Sequence, residues 1–225
     1  MSMNDNANTN TIDESLYSRQ LYVLGHDAMQ NMSKSNILIC GMDGLGVEIA
    51  KNIILSGVKS VTIMDDASFN LQDFSSNFYL SNEDLILENN KSSKAKAVRS
   101  KLAELNMYVD VNIFDGQSMG SSEIEKYDLA ILSNHGLPGQ IVFNNLCRNS
   151  KTKFISARTM GLVGQIFCDF GNTFVVNDTD GEQPLTSIVI NIDEQGNLIV
   201  SDTTPHGLTN SDQIELVEVV SNVDI

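Results

Sequence analysis

Residues 36 to 65 read NILIC, GMDGLG, VEIAKNIILSG and VKSVTIMD without interruption, and this stretch constrains the fold more than any other. NILIC has almost no polar side chain to offer water, so it reads as a strand covered on both faces rather than a half-solvated one. The glycine-rich hexapeptide then turns the chain. VEIAKNIILS follows with Val47, Ile49, Ala50, Ile53 and Ile54 at helical spacing, and Gly57 stops it. VKSVTIMD is a second apolar strand. A strand, crossover helix and strand in this order predict a right-handed unit in a parallel sheet, with its loops at the carboxyl ends of the strands.

The same alternation continues. SSKAKAVRSKLAELN reads as a helix, VDVNIFD and YDLAILSN as strands, PGQIVFNNLCRN as a helix and KFISART as a strand. GLVGQIFCDF adds one more apolar strand. Ahead of the unit, Leu16, Tyr17, Gln20, Leu21 and Leu24 recur at steps of three and four residues from Asp13, with Gly25 as the expected stop. Beyond Gly171 the pattern changes to four short strand-like runs, TFVVND, LTSIVINID, LIVSD and QIELVEV, separated by DGEQP, EQGN and TPHG. The fold class expected is α/β: a doubly wound, Rossmann-like domain over residues 13–172, followed by a partial small β domain over 173–225. Residues 1–12, rich in Asn, are expected to be a disordered tail.

Formal net charge is −15 and the pI is near 4.4, with no basic stretch to offset the repulsion. That excludes phosphate backbones and anionic membranes as partners, so neither nucleic acid nor membrane binding is expected. No apolar run approaches the roughly 20 residues that span a bilayer, and MSMNDNANTN lacks the regions of a secretory signal. A cytoplasmic and nuclear location is expected. Cys40, Cys147 and Cys168 are far apart in apolar sequence and read as core thiols. His26, His135 and His206 show no ligand spacing, so no metal is expected.

A dinucleotide-binding turn reads G-x-G-x-x-G, with its middle glycine letting the backbone approach the phosphates. Gly41 and Gly46 hold the outer places and Gly44 lies between them, but Asp43 holds the middle one. A carboxylate there adds a side chain where none is expected to fit. At an effective dielectric of 20 and about 4 Å, its repulsion of a phosphate charge is roughly 4 kcal/mol, close to a thousandfold in affinity. A P-loop is excluded because Val47 stands where lysine is needed. Asp65 ends the second strand, where an acidic residue holds a ribose hydroxyl; the alternative is a solvated strand-end aspartate. Lys94, Lys96, Arg99 and Lys101 could reach phosphates, although at helical spacing they read more naturally as a solvated face.

Taken together, SLYSRQLYVLG, GMDGLGVEIAKNIILSGVKSVTIMDD, KLAELN, GLVGQIFCDFG and DGEQPL closely resemble the N-terminal part of ubiquitin-activating enzymes. The resemblance runs over nearly everything after residue 13. Such enzymes pair two ThiF-type adenylation domains, one active and one degenerate, and this chain looks like the degenerate one followed by part of the first catalytic cysteine half-domain. The resemblance implies that ATP and Mg are bound by the other, active domain of the same chain and none by this one. Active domains carry G-x-G-G-x-G and an Asn-x-x-Arg-Gln stretch; here Asp43 departs from the first, and NLQDFSSNFYL lacks the arginine of the second. An aspartate that helps place the magnesium nucleotide is absent from NHGLPG. Lys94 falls at the position of the phosphate lysine, so Gly41, Asp43, Gly44, Gly46, Asp65 and Lys94 are implied to be vestigial.

Arg19 of SRQ matches an arginine that reaches across the domain pairing to the partner's nucleotide phosphates. The resemblance implies that role here, against the alternative of a plain surface arginine. The implied partners are the active adenylation domain, ubiquitin and ubiquitin-conjugating enzymes, with the transfer cysteine beyond this fragment. Other readings are a regulatory subunit of a related ubiquitin-like-modifier activating enzyme, or an autonomous nucleotide-binding ThiF-type enzyme. Asp43 and the missing phosphate arginine count against the last.

Overall fold

A computed structural model of the chain describes residues 13–81, 93–114, 119–176, 186–201, 206–209, 212 and 214–217. The chain divides into two compact units, Met1–Asn177 and Asp178–Ile225. The expected tail over 1–12 lies outside the described residues.

The first unit is organised about a six-stranded sheet of β1 (Asn36–Cys40), β2 (Ser60–Met64), β3 (Asp110–Ile113), β4 (Leu129–Ser133), β5 (Lys153–Met160) and β6 (Val163–Asp169). Their order is β3-β2-β1-β4-β5-β6. The first five are parallel and β6 runs antiparallel to β5. Among the described residues, five α-helices accompany the sheet: α1 (Glu14–Met32), α2 (Gly44–Ser56), α3 (Lys94–Ala103), α4 (Ser121–Ile124) and α5 (Leu137–Asn149).

The apolar sequence of β1 after Asn36 is explained by what its two faces touch. Ile37 and Ile39 enter one core with Val47, Ala50 and Ile54 of α2 and Val98 and Leu102 of α3. Leu38 and Cys40 enter another with Ile124, Cys147 and Phe154. Successive side chains of a strand point to opposite faces, so β1 supplies both layers. Leu38 and Ile39 are fully buried, each contributing about 1.5–3 kcal/mol of transfer free energy. The doubly wound α/β architecture read from the sequence is present.

Gly25 ends the first helical segment of α1, as expected: it leaves helical geometry at φ 78 and ψ 168, and a second helical segment follows this kink and runs to Met32, with Met29 buried. Two other expectations are corrected. Cys40 and Cys147 are buried, and desolvation pushes both thiols up to about 12, but Cys168 is exposed. It lies on β6, which ends the sheet, where Val163, Ile166 and Phe167 are also exposed. Of the four runs expected to be strands after Gly171, among the described residues only β7 (Val189–Ile192) and β8 (Leu198–Val200) pair, as an antiparallel hairpin in the second unit. Residues 173–176 and 214–217 lie outside strands, because an extended run becomes a strand only when another supplies its hydrogen bonds.

One acid-sensitive tie joins α5 to the end of β6. Arg148 donates through Nε and Nη2 to the two carboxylate oxygens of Asp169, at 2.6 and 2.9 Å. Asn144 and the Gly171 N–H donate to the same group. These donors, Arg148 foremost, hold the Asp169 carboxyl at about 2 instead of 3.8. A depressed folded-state value stabilises the fold above the unfolded value, and that contribution is lost as pH falls through the folded value. Urea unfolding midpoints are therefore expected to drop more steeply between pH 4 and pH 2 in the native chain than in Asp169→Asn. Parallel slopes would refute the assignment.

Candidate functional site

The order β3-β2-β1-β4 means that the chain leaves β1 toward β2 on one side, while β4 lies on the other. The loops after β1 and β4 therefore flank a topological switch point, where open α/β sheets bind their ligands. A cleft of about 300 Å³ opens there, lined by Cys40, Gly41, Asp43, Met64, Asp65, Ala67, Lys94, Ser133, Asn134 and His135.

Glycine shapes the first loop. Gly41 continues the β1–β2 ladder through its N–H to the Met64 carbonyl at 2.8 Å, and then turns at φ 98, a region open to glycine. A methyl group on Gly46 would lie 1.9 Å from the Gly41 carbonyl oxygen, and one on Gly44 2.7 Å from the Ser76 carbonyl oxygen. The turn has kept the tightness of a dinucleotide loop.

Asp43 fits this turn, contrary to the expectation that no side chain would. It is the N-cap of α2: Oδ1 accepts from the Gly46 N–H at 2.8 Å and from the Ser133 hydroxyl at 3.0 Å. Oδ2 accepts from the Asn134 amide at 2.5 Å. A carboxylate at a helix N-terminus satisfies otherwise unpaired N–H groups and is favoured by the helix dipole. The chain has placed an anion of its own where that dipole is strongest.

Asp65 is not simply a solvated strand-end aspartate. Its two oxygens accept from the N–H groups of Met42 and Ala67, at 2.8 and 3.0 Å, and so hold the loop after β1 to the loop after β2. Lys94 reaches the rim, but its ammonium donates to Asp73 at 2.7 Å, with both side chains largely buried. Arg99 donates to the Val111 carbonyl and Lys101 to the Tyr79 carbonyl, while Lys96 is exposed. The basic run is thus divided: Lys96 and Arg99 are exposed, as a solvated face requires, while Lys94 and Lys101 are partly buried in structural bonds.

The structure brings Gly41, Asp43, Asp65 and Lys94 together around one cleft, with Gly44 and Gly46 in the turn beside it. Arg19 is elsewhere, exposed on α1 with no hydrogen bond or ion pair among the described residues. Sequence reasoning missed Ser133 and Asn134, which close over Asp43. Their signal was available: SN ends the run LAILSN, and a polar pair at the carboxyl end of a buried parallel strand stands where such sheets bind ligands. His135 was read only for metal spacing; its Nδ1 donates to the Ser133 carbonyl at 2.8 Å. Among the described residues, no group of three or more His, Cys, Asp or Glu side chains could hold a metal ion, and no helix is long and apolar enough to cross a membrane.

Comparisons agree with this geometry. Residues 17–190 match the model of the ThiF family. The chain is 43% identical over 215 residues to ubiquitin-activating enzyme E1 1 of Schizosaccharomyces pombe, covering 96% of this chain and 21% of that protein. It is 40% identical over 225 residues to human ubiquitin-like modifier-activating enzyme 1, covering 99% of this chain and 21% of that protein. The chain thus spans about a fifth of the length of these relatives. Among solved structures, E. coli MccB with AMPCPP and MccA superposes with a TM-score of 0.54 at 17% identity, covering 65% of this chain and 45% of that one. That likeness is one of fold.

Proposed function

From the premise that this chain belongs to the ThiF family, we propose that it is the non-catalytic adenylation domain of a ubiquitin-activating enzyme, followed by the opening part of the first catalytic cysteine half-domain. The whole protein adenylates the ubiquitin C-terminus with ATP and magnesium, passes ubiquitin to a cysteine outside this chain, and hands it on to ubiquitin-conjugating enzymes, in the cytoplasm and nucleus. This domain binds no nucleotide itself. It pairs with the active adenylation domain and lends Arg19 to that domain's site, where a guanidinium stabilises the charge that develops on the phosphates. Identity of 43% and 40% to the two activating enzymes supports the general assignment.

The observation that carries the reading is the Asp43 carboxylate. A triphosphate seated on this turn would need the Gly46 N–H and the neighbouring donors, and Asp43 already uses three of them. It would also meet a like charge at contact distance, with Lys94 committed to Asp73. The residues present therefore do not suit ATP. Exposed Arg19 suits a donor lent to a neighbour: it projects beside Leu16, Tyr22 and Val23, all exposed, so the same helix face offers apolar area to a partner. The buried Cys40 and Cys147 suit packing, since ubiquitin transfer needs an accessible thiolate.

Calorimetric titration of the chain with ATP and magnesium tests this directly. No binding tighter than about 100 μM is expected. Saturable binding well below that concentration would restore the reading of an autonomous nucleotide-binding enzyme.

A further inference from the structure

Among the described residues the Arg19 side chain makes no hydrogen bond or ion pair, yet the helix that carries it is held at three points along one side. At the N-cap, Asp13 uses Oδ1 for the N–H groups of Ser15 and Leu16, while Oδ2 accepts the Tyr108 hydroxyl at 2.9 Å. One turn on, the Tyr17 hydroxyl accepts from Asn106 Nδ2 at 2.7 Å, and that amide also donates to the Ile54 carbonyl in the last turn of α2 at 3.0 Å. Another turn on, Gln20 Nε2 donates to the Ser56 carbonyl at 2.9 Å. Residues 13, 17 and 20 are spaced by four and three, so they share a helix face.

The loop between α3 and β3 provides two of these holds and is itself braced, because Asn106 Oδ1 accepts the Tyr108 N–H at 3.0 Å. Tyr17 also lies against Gly57, where a methyl group would come 2.7 Å from the tyrosine oxygen. Three segments distant in sequence, SLYSRQ, ILSG and KLAELN, therefore meet at one buried hydroxyl. A surface helix that only had to cover a core would dock through apolar side chains. Here Leu16, Tyr22 and Val23 are exposed, Tyr22 by 90% and Val23 by 72%, and the anchoring is mainly polar and directional.

Directional anchors fix the rotation of a helix about its own axis, which apolar contacts leave looser. Arg19 is two residues beyond Tyr17, about 200° round the axis, so the angle at which Tyr17 is held sets the direction in which Arg19 leaves the surface. We infer that Tyr17, Asn106 and Tyr108, with the N-cap Asp13, form a clamp that positions Arg19 for a phosphate-bearing site on a partner domain, Tyr17 and Asn106 being positioning residues. The inference rests on the role proposed for Arg19 above.

The test uses the whole protein that carries this chain and measures ubiquitin-dependent exchange between pyrophosphate and ATP. Tyr17→Phe keeps the ring and deletes the hydroxyl; Tyr108→Phe frees the N-cap at an exposed position and guards against a fold that fails. A displacement of 1 Å can cost on the order of 10²-fold in rate, so the loss of one hydroxyl with packing retained is expected to slow exchange about fivefold. In the Arg19→Ala background the same changes are expected to alter the rate less than about twofold, because the group they aim is gone. Equal fold losses in both backgrounds, or tyrosine variants at the native rate beside a slow Arg19→Ala, would overturn the clamp while leaving Arg19 its role. An Arg19→Ala protein that exchanges at the native rate would overturn both.

Discussion

Gly46→Ala is expected to destabilise the first unit by about 3 kcal/mol or more, at the upper end of what added volume costs a packed site. The methyl group would sit 1.9 Å from the Gly41 carbonyl oxygen, which belongs to the backbone and cannot rotate aside. Gly41 cannot retreat, because its own α-carbon faces Ser133, whose carbonyl oxygen would be 3.0 Å from any side chain there. Relief requires moving the end of β1 against β4, where Cys40 pairs with Leu132. With a total stability of about 5–15 kcal/mol for a typical domain, the variant is expected to unfold well before the native chain in urea. Gly120→Ala, where a methyl group meets nothing within 4 Å, is the control and should be close to neutral. A Gly46→Ala midpoint matching the control would mean that the turn is looser than described.

Asp73→Asn is expected to cost about 2–3 kcal/mol. Its carboxylate pairs with Lys94 at 2.7 Å, the side chains being 12% and 14% exposed. Removing one partner of a fully buried pair costs about 3–5 kcal/mol, because the other charge is left uncompensated; slight solvent access lowers that figure here. A second consequence touches the cleft, since the released ammonium lies on its rim. Lys94→Met should cost a similar amount, and the double variant Asp73→Asn with Lys94→Met distinctly less than the two combined. Strictly additive losses in denaturant melts would show that the pair is not an interacting unit.

Much of the first unit was legible because its strands are runs that water would reject. NILIC, VTIM and LAILS can only be covered on both faces, and helical spacing between such runs predicts the crossover. The glycine turn was legible as well, and so was the anomaly at position 43. What Asp43 does was not, because Ser133 and Asn134 stand about 90 residues away and no local pattern joins them to it. Asp65 was hidden for a related reason: its partners are backbone N–H groups, which every residue except proline carries. Cys168 was misjudged because QIFCDF reads the same under a covering layer as on the last strand of a sheet. The strands expected after Gly171 were over-read, since β-propensity in TFVV and IELV does not say which segment would pair with them.

Strand β6 leaves its outer hydrogen-bonding groups and a line of greasy side chains facing outward, with neither lysine nor proline in VGQIFCD to blunt that rim. A protein cut back to this unit would carry an open selvedge. That unit would keep all 14 Lys and Arg but only 19 of the 29 Asp and Glu, a net charge of −5 against −15 for the whole chain, so little repulsion would hold molecules apart, and adding salt would weaken it further and let the rims find one another.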